Sequence, residues 1–195
     1  MVHKIKRSYR IAKYVVYKQT IVDPIDHFWT FLGAFIGIAS IGLIQGTSFG
    51  ESDNIFLIGS FGASAVLVFG ATNSPLAQPR NLIFGHFISA IIGVSIHKII
   101  PNELWLSSAF AVSISIVIMQ ITKTMHPPGG ATALIANIGS EKIKALGFFY
   151  AFSPVLTGAL ILLGVAIITN NIPKHRSYPY RRANLLLILR KRLNK

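Results

Sequence analysis

Five long runs of this chain are almost free of charge: residues 28–44, 55–71, 82–96, 104–121 and 147–168. About 20 apolar residues span the hydrocarbon core of a bilayer, with a working range of about 17–25. Several of the runs reach or approach that length. A segment in lipid has no water to satisfy its backbone, so it must pair its own amides, as a helix does. Composition agrees: 52% of the 195 residues are hydrophobic and 13% are charged, where a soluble domain carries about 25% charged residues. The chain reads as an all-α, polytopic helical membrane protein.

The net charge of +13 would suggest a nucleic-acid partner in a soluble chain, but its distribution argues against one. Of the 19 Lys and Arg, 6 lie in residues 1–18 and 8 in residues 174–195, leaving Arg80, Lys98, Lys123, Lys142 and Lys144 between them. Basic termini on an apolar body are the positive-inside signature. They predict a multi-pass protein of the cell membrane with both termini cytoplasmic, and hence an even number of spans. Residues 1–22 form a basic amphipathic segment suited to anionic lipid, residues 23–172 the transmembrane domain, and residues 173–195 a second basic amphipathic segment. No cleavable signal peptide is evident. The chain has no cysteine, which removes disulfides, thiolate metal sites and thiol nucleophiles.

Asp23, Pro24 and Asp26 suit the N-cap, first position and first turn of the first span. Gly33 and Gly37 give it a face for close helix contact. The strongest break lies at His126-Pro127-Pro128-Gly129-Gly130-Ala131-Thr132-Ala133-Leu134. Two prolines and two glycines cannot continue an incoming helix, yet a short helix-compatible run follows, to about residue 138. A helix start has unpaired N–H groups and the positive end of a dipole, which suits an anion.

This break has a partner. Gly62-Ala63-Ser64-Ala65-Val66-Leu67 matches Gly130-Ala131-Thr132-Ala133-Leu134-Ile135 at an offset of 68. Each match follows a long span and precedes a polar loop and another span. The chain thus divides into two three-segment repeats, about 28–100 and 104–170. Six transmembrane or partly re-entrant segments follow, and six crossings make the repeats inverted. Six crossings put Arg80 and Lys123 inside and Glu51 and Asp53 outside, as the charge rule prefers. Four crossings with re-entrant middle segments make the repeats parallel. The fifth segment is too short for a regular span, which a broken crossing shielded by other helices would resolve.

All six acids, Asp23, Asp26, Glu51, Asp53, Glu103 and Glu141, fall at segment ends or in loops. Cation pumps generally hold a carboxylate within the membrane, so a small anion is the better substrate class. The candidate binding residues are Gly62, Ala63, Ser64, Arg80, Asn81, His126, Gly129, Gly130, Ala131 and Thr132. The glycines and Ala63 and Ala131 would open backbone N–H groups to a ligand, or permit close packing. Ser64 and Thr132, at equivalent repeat positions, would donate to a substrate oxygen or bond back to their own helix. Arg80 would draw an anion to the pore mouth beside Asn81, or snorkel to lipid phosphate. His126 would bind an anion when protonated, gate with pH, or brace the break. His86 would line a pathway or pack. A His86–His126 metal site lacks a third ligand, so no metal and no cofactor is expected.

The motifs Gly62-Ala63-Ser64-Ala65-Val66-Leu67, Ser74-Pro75-Leu76-Ala77-Gln78-Pro79-Arg80-Asn81 and the His126 to Leu134 stretch resemble the HPP family of integral membrane proteins. The resemblance covers about residues 25–170. It implies a multi-span fold and, from chloroplast and cyanobacterial members, nitrite transport. The expected function is a membrane transporter or channel for a small inorganic anion, with nitrite as the named substrate. The alternative is a non-transporting scaffold or sensor that binds a cytosolic partner or anionic lipid. No enzyme is expected, since no acid lies inside the membrane to partner a nucleophile. Small anion and membrane lipid are the expected partners, and a homo-oligomer is compatible with this pattern.

Overall fold

A computed structural model describes residues 24–47 and 51–180. The basic segments expected over residues 1–22 and 181–195, and the Asp23 cap, lie outside the described residues. Helix α1 is Pro24–Gly46 and α2 is Glu51–Ala65, which runs on into a wider π turn at Val66–Gly70. A short 3-10 turn, Pro75–Ala77, leads to α3, Pro79–Ile99, and then α4, Leu104–Ile121. The short α5, Pro128–Ile138, and the single-turn α6, Glu141–Ala145, follow. A bent segment, Ala151–Leu156, enters α7, Thr157–Thr169.

Among the described residues, four stretches are long and apolar enough to cross a membrane: Pro24–Gly46, Pro79–Ile99, Leu104–Ile121 and Ala151–Thr169. Exposed side chains such as Phe31, Phe35, Leu43, Trp105, Val117 and Leu160 face outward, as lipid contact requires. In α1 the buried residues are Gly33, Gly37, Ile41 and Gln45. A spacing of four makes one stripe, and the glycines there lie against Phe69, Leu162 and Thr169. The expected close-contact face of the first span is present.

Contacts fix the directions. Gly33 meets Thr169, Gly37 meets Leu162, and Gln45 bonds to the Pro154 carbonyl, so α1 and α7 run antiparallel. Phe61 packs at Gly158 and Asn170 reaches the Val68 carbonyl, so α2 and α7 run parallel. Ser89 touches Met119 and Arg80 reaches Thr122, which makes α3 and α4 antiparallel. Along α3 and α5, Gly85 faces Gly129 and Gly93 faces Ala133, a parallel pair. Segments α1, α2, α3, α4, α5 and α7 therefore alternate in direction.

The eleven residues of α5 make a rod about 16 Å long, roughly half the hydrocarbon thickness. Its start is tucked beside Gly85, inside the bundle, and it runs toward the end of α3 that carries Lys98. The fifth segment is thus too short to be a regular span and begins within the bundle. Two corrections follow. No helix starts after Gly62, because α2 passes through that position unbroken; a glycine without a neighbouring proline costs a helix only about 1 kcal/mol. The last run is not one regular helix either: the backbone bends at Ser153 and Pro154 before α7 begins.

Two apolar clusters make the core. One joins Ile41, Phe61, Val68, Phe69, Leu82 and Leu162. The other joins Leu57, Ala90, Val94, Ile135, Tyr150 and Val155. Residues 173–180 fold back onto the body: the Tyr178 hydroxyl donates to the Ala77 carbonyl at 2.6 Å, and Arg176 pairs with the Asp26 carboxylate and donates to the Asp26 carbonyl at 2.6 Å.

Close approach of α3 and α5 depends on glycine. A Cβ at Gly93 would lie 2.5 Å from the Ala133 carbonyl oxygen and 2.9 Å from the Ala133 Cα. Both are backbone atoms, so α5 itself would have to move. Gly93→Ala is expected to destabilise the protein by about 1–3 kcal/mol, as overpacking does. Gly62→Ala, with nothing within 4 Å of the new methyl, is expected to be neutral or stabilising by up to about 1 kcal/mol. Thermal unfolding in detergent compares them; equal melting temperatures would refute this packing.

Candidate functional site

Between the two apolar clusters, where Leu57 belongs to one and Phe61 to the other, lies a buried polar chain. Ser64, His86 and His126 have no exposed surface, and Ser60 and Thr132 almost none. Helix α2 supplies Ser60 and Ser64, one turn apart on the same face. Helix α3 supplies His86, α5 supplies Thr132, and the stretch before α5 supplies His126. Ser64 Oγ lies 2.7 Å from His86 Nε2 and 2.9 Å from His126 Nε2. His86 Nδ1 lies 2.7 Å from Thr132 Oγ1, which is 2.8 Å from Ser60 Oγ. His126 Nδ1 lies 2.8 Å from the Leu76 carbonyl oxygen.

These contacts determine where each proton sits. A carbonyl only accepts, so His126 Nδ1 carries hydrogen. A buried charge without a counter-ion is costly, so the ring is neutral and its Nε2 accepts. Ser64 must then donate to His126 Nε2, which leaves the Ser64 oxygen to accept from His86 Nε2–H. His86 Nδ1 in turn accepts from the Thr132 hydroxyl, and Thr132 accepts from Ser60. Every donor and acceptor matches with both imidazoles neutral and of opposite tautomer. The bonds all run one way, from Ser60 to Leu76.

The backbone around the break is equally occupied. Gly129 N–H bonds to the His126 carbonyl at 2.8 Å and Gly130 N–H to the Pro127 carbonyl at 3.0 Å. Pro128 has no N–H. The first donors of α5 are therefore used by the turn that precedes it. Tyr150 OH donates to the Thr132 carbonyl at 3.0 Å, and Ser60 Oγ is 3.3 Å from the Pro128 carbonyl. Positions 60 and 128 stand 68 apart, the offset of the sequence match.

The structure brings together only part of the candidate set. Ser64, His126 and Thr132 meet in the chain; Ser64 Oγ also lies 3.3 Å from the Ser60 carbonyl oxygen, the longer of two contacts that compete for its single proton. Gly129 is buried against Gly85 and Ser89, where a Cβ would not fit. Gly130 and Ala131 are half-buried near it, while Gly62 and Ala63 point away from the chain. Arg80 is exposed and donates to the Thr122 carbonyl at 2.9 Å; Asn81 donates to the Met125 carbonyl at 2.7 Å. Both hold residues 122–127 in place. Ser60, the Leu76 carbonyl and Tyr150 were not among the candidates, and His86 was weighed as packing. Ser60 carried a signal: it lies four residues before Ser64.

A buried, fully partnered polar centre inside a bundle of apolar, alternating helices defines a multi-pass helical membrane protein. The chain belongs to the HPP transmembrane family, whose model, described as the HPP transmembrane region, matches residues 19–179. It is similar to two transmembrane proteins of Dictyostelium discoideum. One is 48% identical over 154 residues, 77% of this chain and 54% of that protein. The other is 47% identical over 154 residues, 77% of this chain and 49% of that protein. The chain spans about half the length of these curated relatives. No solved structure matches it.

A double-mutant cycle tests the connectivity. Ser60→Ala and Thr132→Val each remove one hydroxyl and leave a buried partner, at an expected cost of about 1–3 kcal/mol. Because the two share a hydrogen bond, the pair is expected to deviate from additivity by about 0.5–3 kcal/mol. Additive losses in thermal unfolding would show that the bond is absent.

Proposed function

We propose that the protein is a transporter for a small inorganic anion, with nitrite as the substrate its family resemblance names. The observation that carries this reading is the chemistry of the buried centre. Its side chains are hydroxyls and imidazoles, which can donate to an oxyanion that displaces their present partners. Among the described residues no carboxylate is hydrogen-bonded to it, so nothing there favours a metal cation.

Other features support the reading. A pocket of about 250 Å³ opens at the far end of α3, where Lys98 and Lys144, the latter paired with Glu141, line it beside His97; the lysines add positive charge that draws anions. At the opposite end Arg80 is exposed beside the break. The alternating directions and the Ser60–Pro128 contact at equivalent positions support an inverted repeat whose halves meet at the centre. The end bearing Arg80, Lys123, Lys174 and Arg176 is the more basic, which favours that face as cytoplasmic in a cell membrane.

Ser64 and His126 have the arrangement of a nucleophile and its base. Ser64, however, is fully buried, and the N–H groups of Gly129 and Gly130 already have acceptors. We therefore read the centre as a binding and transport site rather than an enzyme's. The scaffold reading rests on the two basic termini, and no described contact bears on it.

Purified protein in proteoliposomes is expected to take up nitrite above protein-free vesicles. Removing one hydrogen bond worth about 1.4 kcal/mol changes an affinity tenfold, so Ser64→Ala is expected to lower uptake by about that factor or more. Arg80→Ala is expected to lower it sharply as well. Absence of nitrite flux from the native protein would overturn the substrate, and absence of any small-anion flux the function. Orientation is tested separately, since the chain has no native cysteine. On intact cells, an impermeant maleimide is expected to label Asn102→Cys but not Asn73→Cys; the reverse pattern would invert the topology.

A further inference from the structure

The polar chain holds more order than binding an anion requires. Five side chains from four parts of the fold form one continuous, one-way series: Ser60, Thr132, His86, Ser64, His126. It ends at the Leu76 carbonyl, in the half-buried turn at one end of the bundle. Each link is 2.7–2.9 Å long. Every member after Ser60 both accepts and donates a hydrogen bond, and Ser60 donates the first. We propose that this series is a proton relay and that the proton is an ion this protein moves. The inference deepens the transport reading above and rests on it, because the relay needs a transport cycle to reset.

The transfer balances atom by atom. His126 Nδ1 releases its proton to a base that arrives at the Leu76 carbonyl, such as water. His126 Nε2 takes the Ser64 hydroxyl proton, and Ser64 Oγ takes the proton on His86 Nε2. His86 Nδ1 takes the Thr132 proton, Thr132 takes the Ser60 proton, and Ser60 takes one from an acid that reaches it during the transport cycle, such as hydronium, whose O–H bond breaks. Each hydroxyl loses one hydrogen and gains one, both imidazoles exchange tautomers, and one proton has moved along the series.

The end state explains why a cycle is needed. His126 Nδ1 then faces the Leu76 carbonyl with a lone pair, two acceptors in contact. A second proton cannot follow until the centre rearranges. This favours one proton per cycle, as in a carrier, over a continuous proton leak.

The surroundings suit such a path. From α2 the neighbour is Phe61, whose ring centroid lies 5.0 Å from that of His86 with the planes tilted by 43°. From the bent segment before α7 it is Tyr150, whose hydroxyl is held by the Thr132 carbonyl. The nearest charges in sequence are Arg80, bonded to Thr122, and Lys123, which is exposed. Among the described residues, no charged side chain is hydrogen-bonded to the relay.

Vesicles of phosphatidylethanolamine and phosphatidylglycerol test the proposal. They hold the full-length protein and a trapped pH-sensitive dye, with potassium and valinomycin to clamp the potential. An inward proton gradient is applied with and without nitrite, and nitrite uptake is measured in parallel. Native protein is expected to acidify the lumen faster than protein-free vesicles, and faster still with nitrite. Thr132→Val keeps the side chain's shape but removes its hydroxyl. It is expected to lower proton flux by about 100-fold, the lower end of what a positioned proton-transfer group contributes, and Thr132→Ser to restore it. Melting temperatures of both variants report folding. Nitrite uptake without proton flux would overturn the relay and leave the transport reading. Proton flux without nitrite uptake would support the relay and overturn the substrate. Undiminished proton flux in folded Thr132→Val, or none in the native protein in either condition, would overturn the relay.

Discussion

The hydrogen bond from His126 Nδ1 to the Leu76 carbonyl, at 2.8 Å, is the contact on which the buried centre depends. It assigns the tautomer of one imidazole, and through Ser64 the tautomer of the other. It also ties the stretch before α5 to the turn before α3. A polar group in this interior has no water to fall back on, and an unpaired one costs several kcal/mol. The pairing of the centre is therefore a condition for the bundle to close.

The interrupted helices follow the same constraint. Where a turn or proline leaves a carbonyl free, a side chain from another helix reaches it. Gln45 donates to the Pro154 carbonyl, Asn170 to Val68, Asn81 to Met125 and Arg80 to Thr122. Each is a polar residue at a helix end or facing inward, and each joins parts distant in sequence. The breaks are thus tied into the bundle, and the small residues Gly85, Gly93 and Gly129 let α5 come close enough to α3 to be held.

Much of the fold is legible in the sequence because its causes are local. Uncharged runs of bilayer length mark the spans; Leu104–Ile121 agrees at both ends. Proline and glycine at 127–130 mark the start of α5 directly. The bend at Ser153 and Pro154 was less visible, since a single proline in an apolar run is tolerated when neighbouring helices satisfy the backbone. The site was half legible. The repeat pointed to Ser64 and Thr132, but it also suggested a helix start at Gly62. Similar residues in two halves need not share backbone geometry when only one of the two matches is immediately preceded by prolines. Arg80 and Asn81 stood out by type, yet their nearest task is to brace residues 122–127. Ser60 escaped notice, and His86 was left between lining a pathway and packing, because partnership across helices, 72 and 22 residues apart in sequence, leaves no local mark.

The opposed tautomers of the two imidazoles are the most direct test of the centre. Nitrogen-15 NMR of histidine-labelled protein in lipid, assigned with single His→Gln variants, reads the protonation of each ring nitrogen. At neutral pH the expected result is hydrogen on Nδ1 of His126 and on Nε2 of His86, with both rings neutral. The same tautomer at both positions, or a doubly protonated ring at either, would contradict the one-way chain from Ser60 to Leu76.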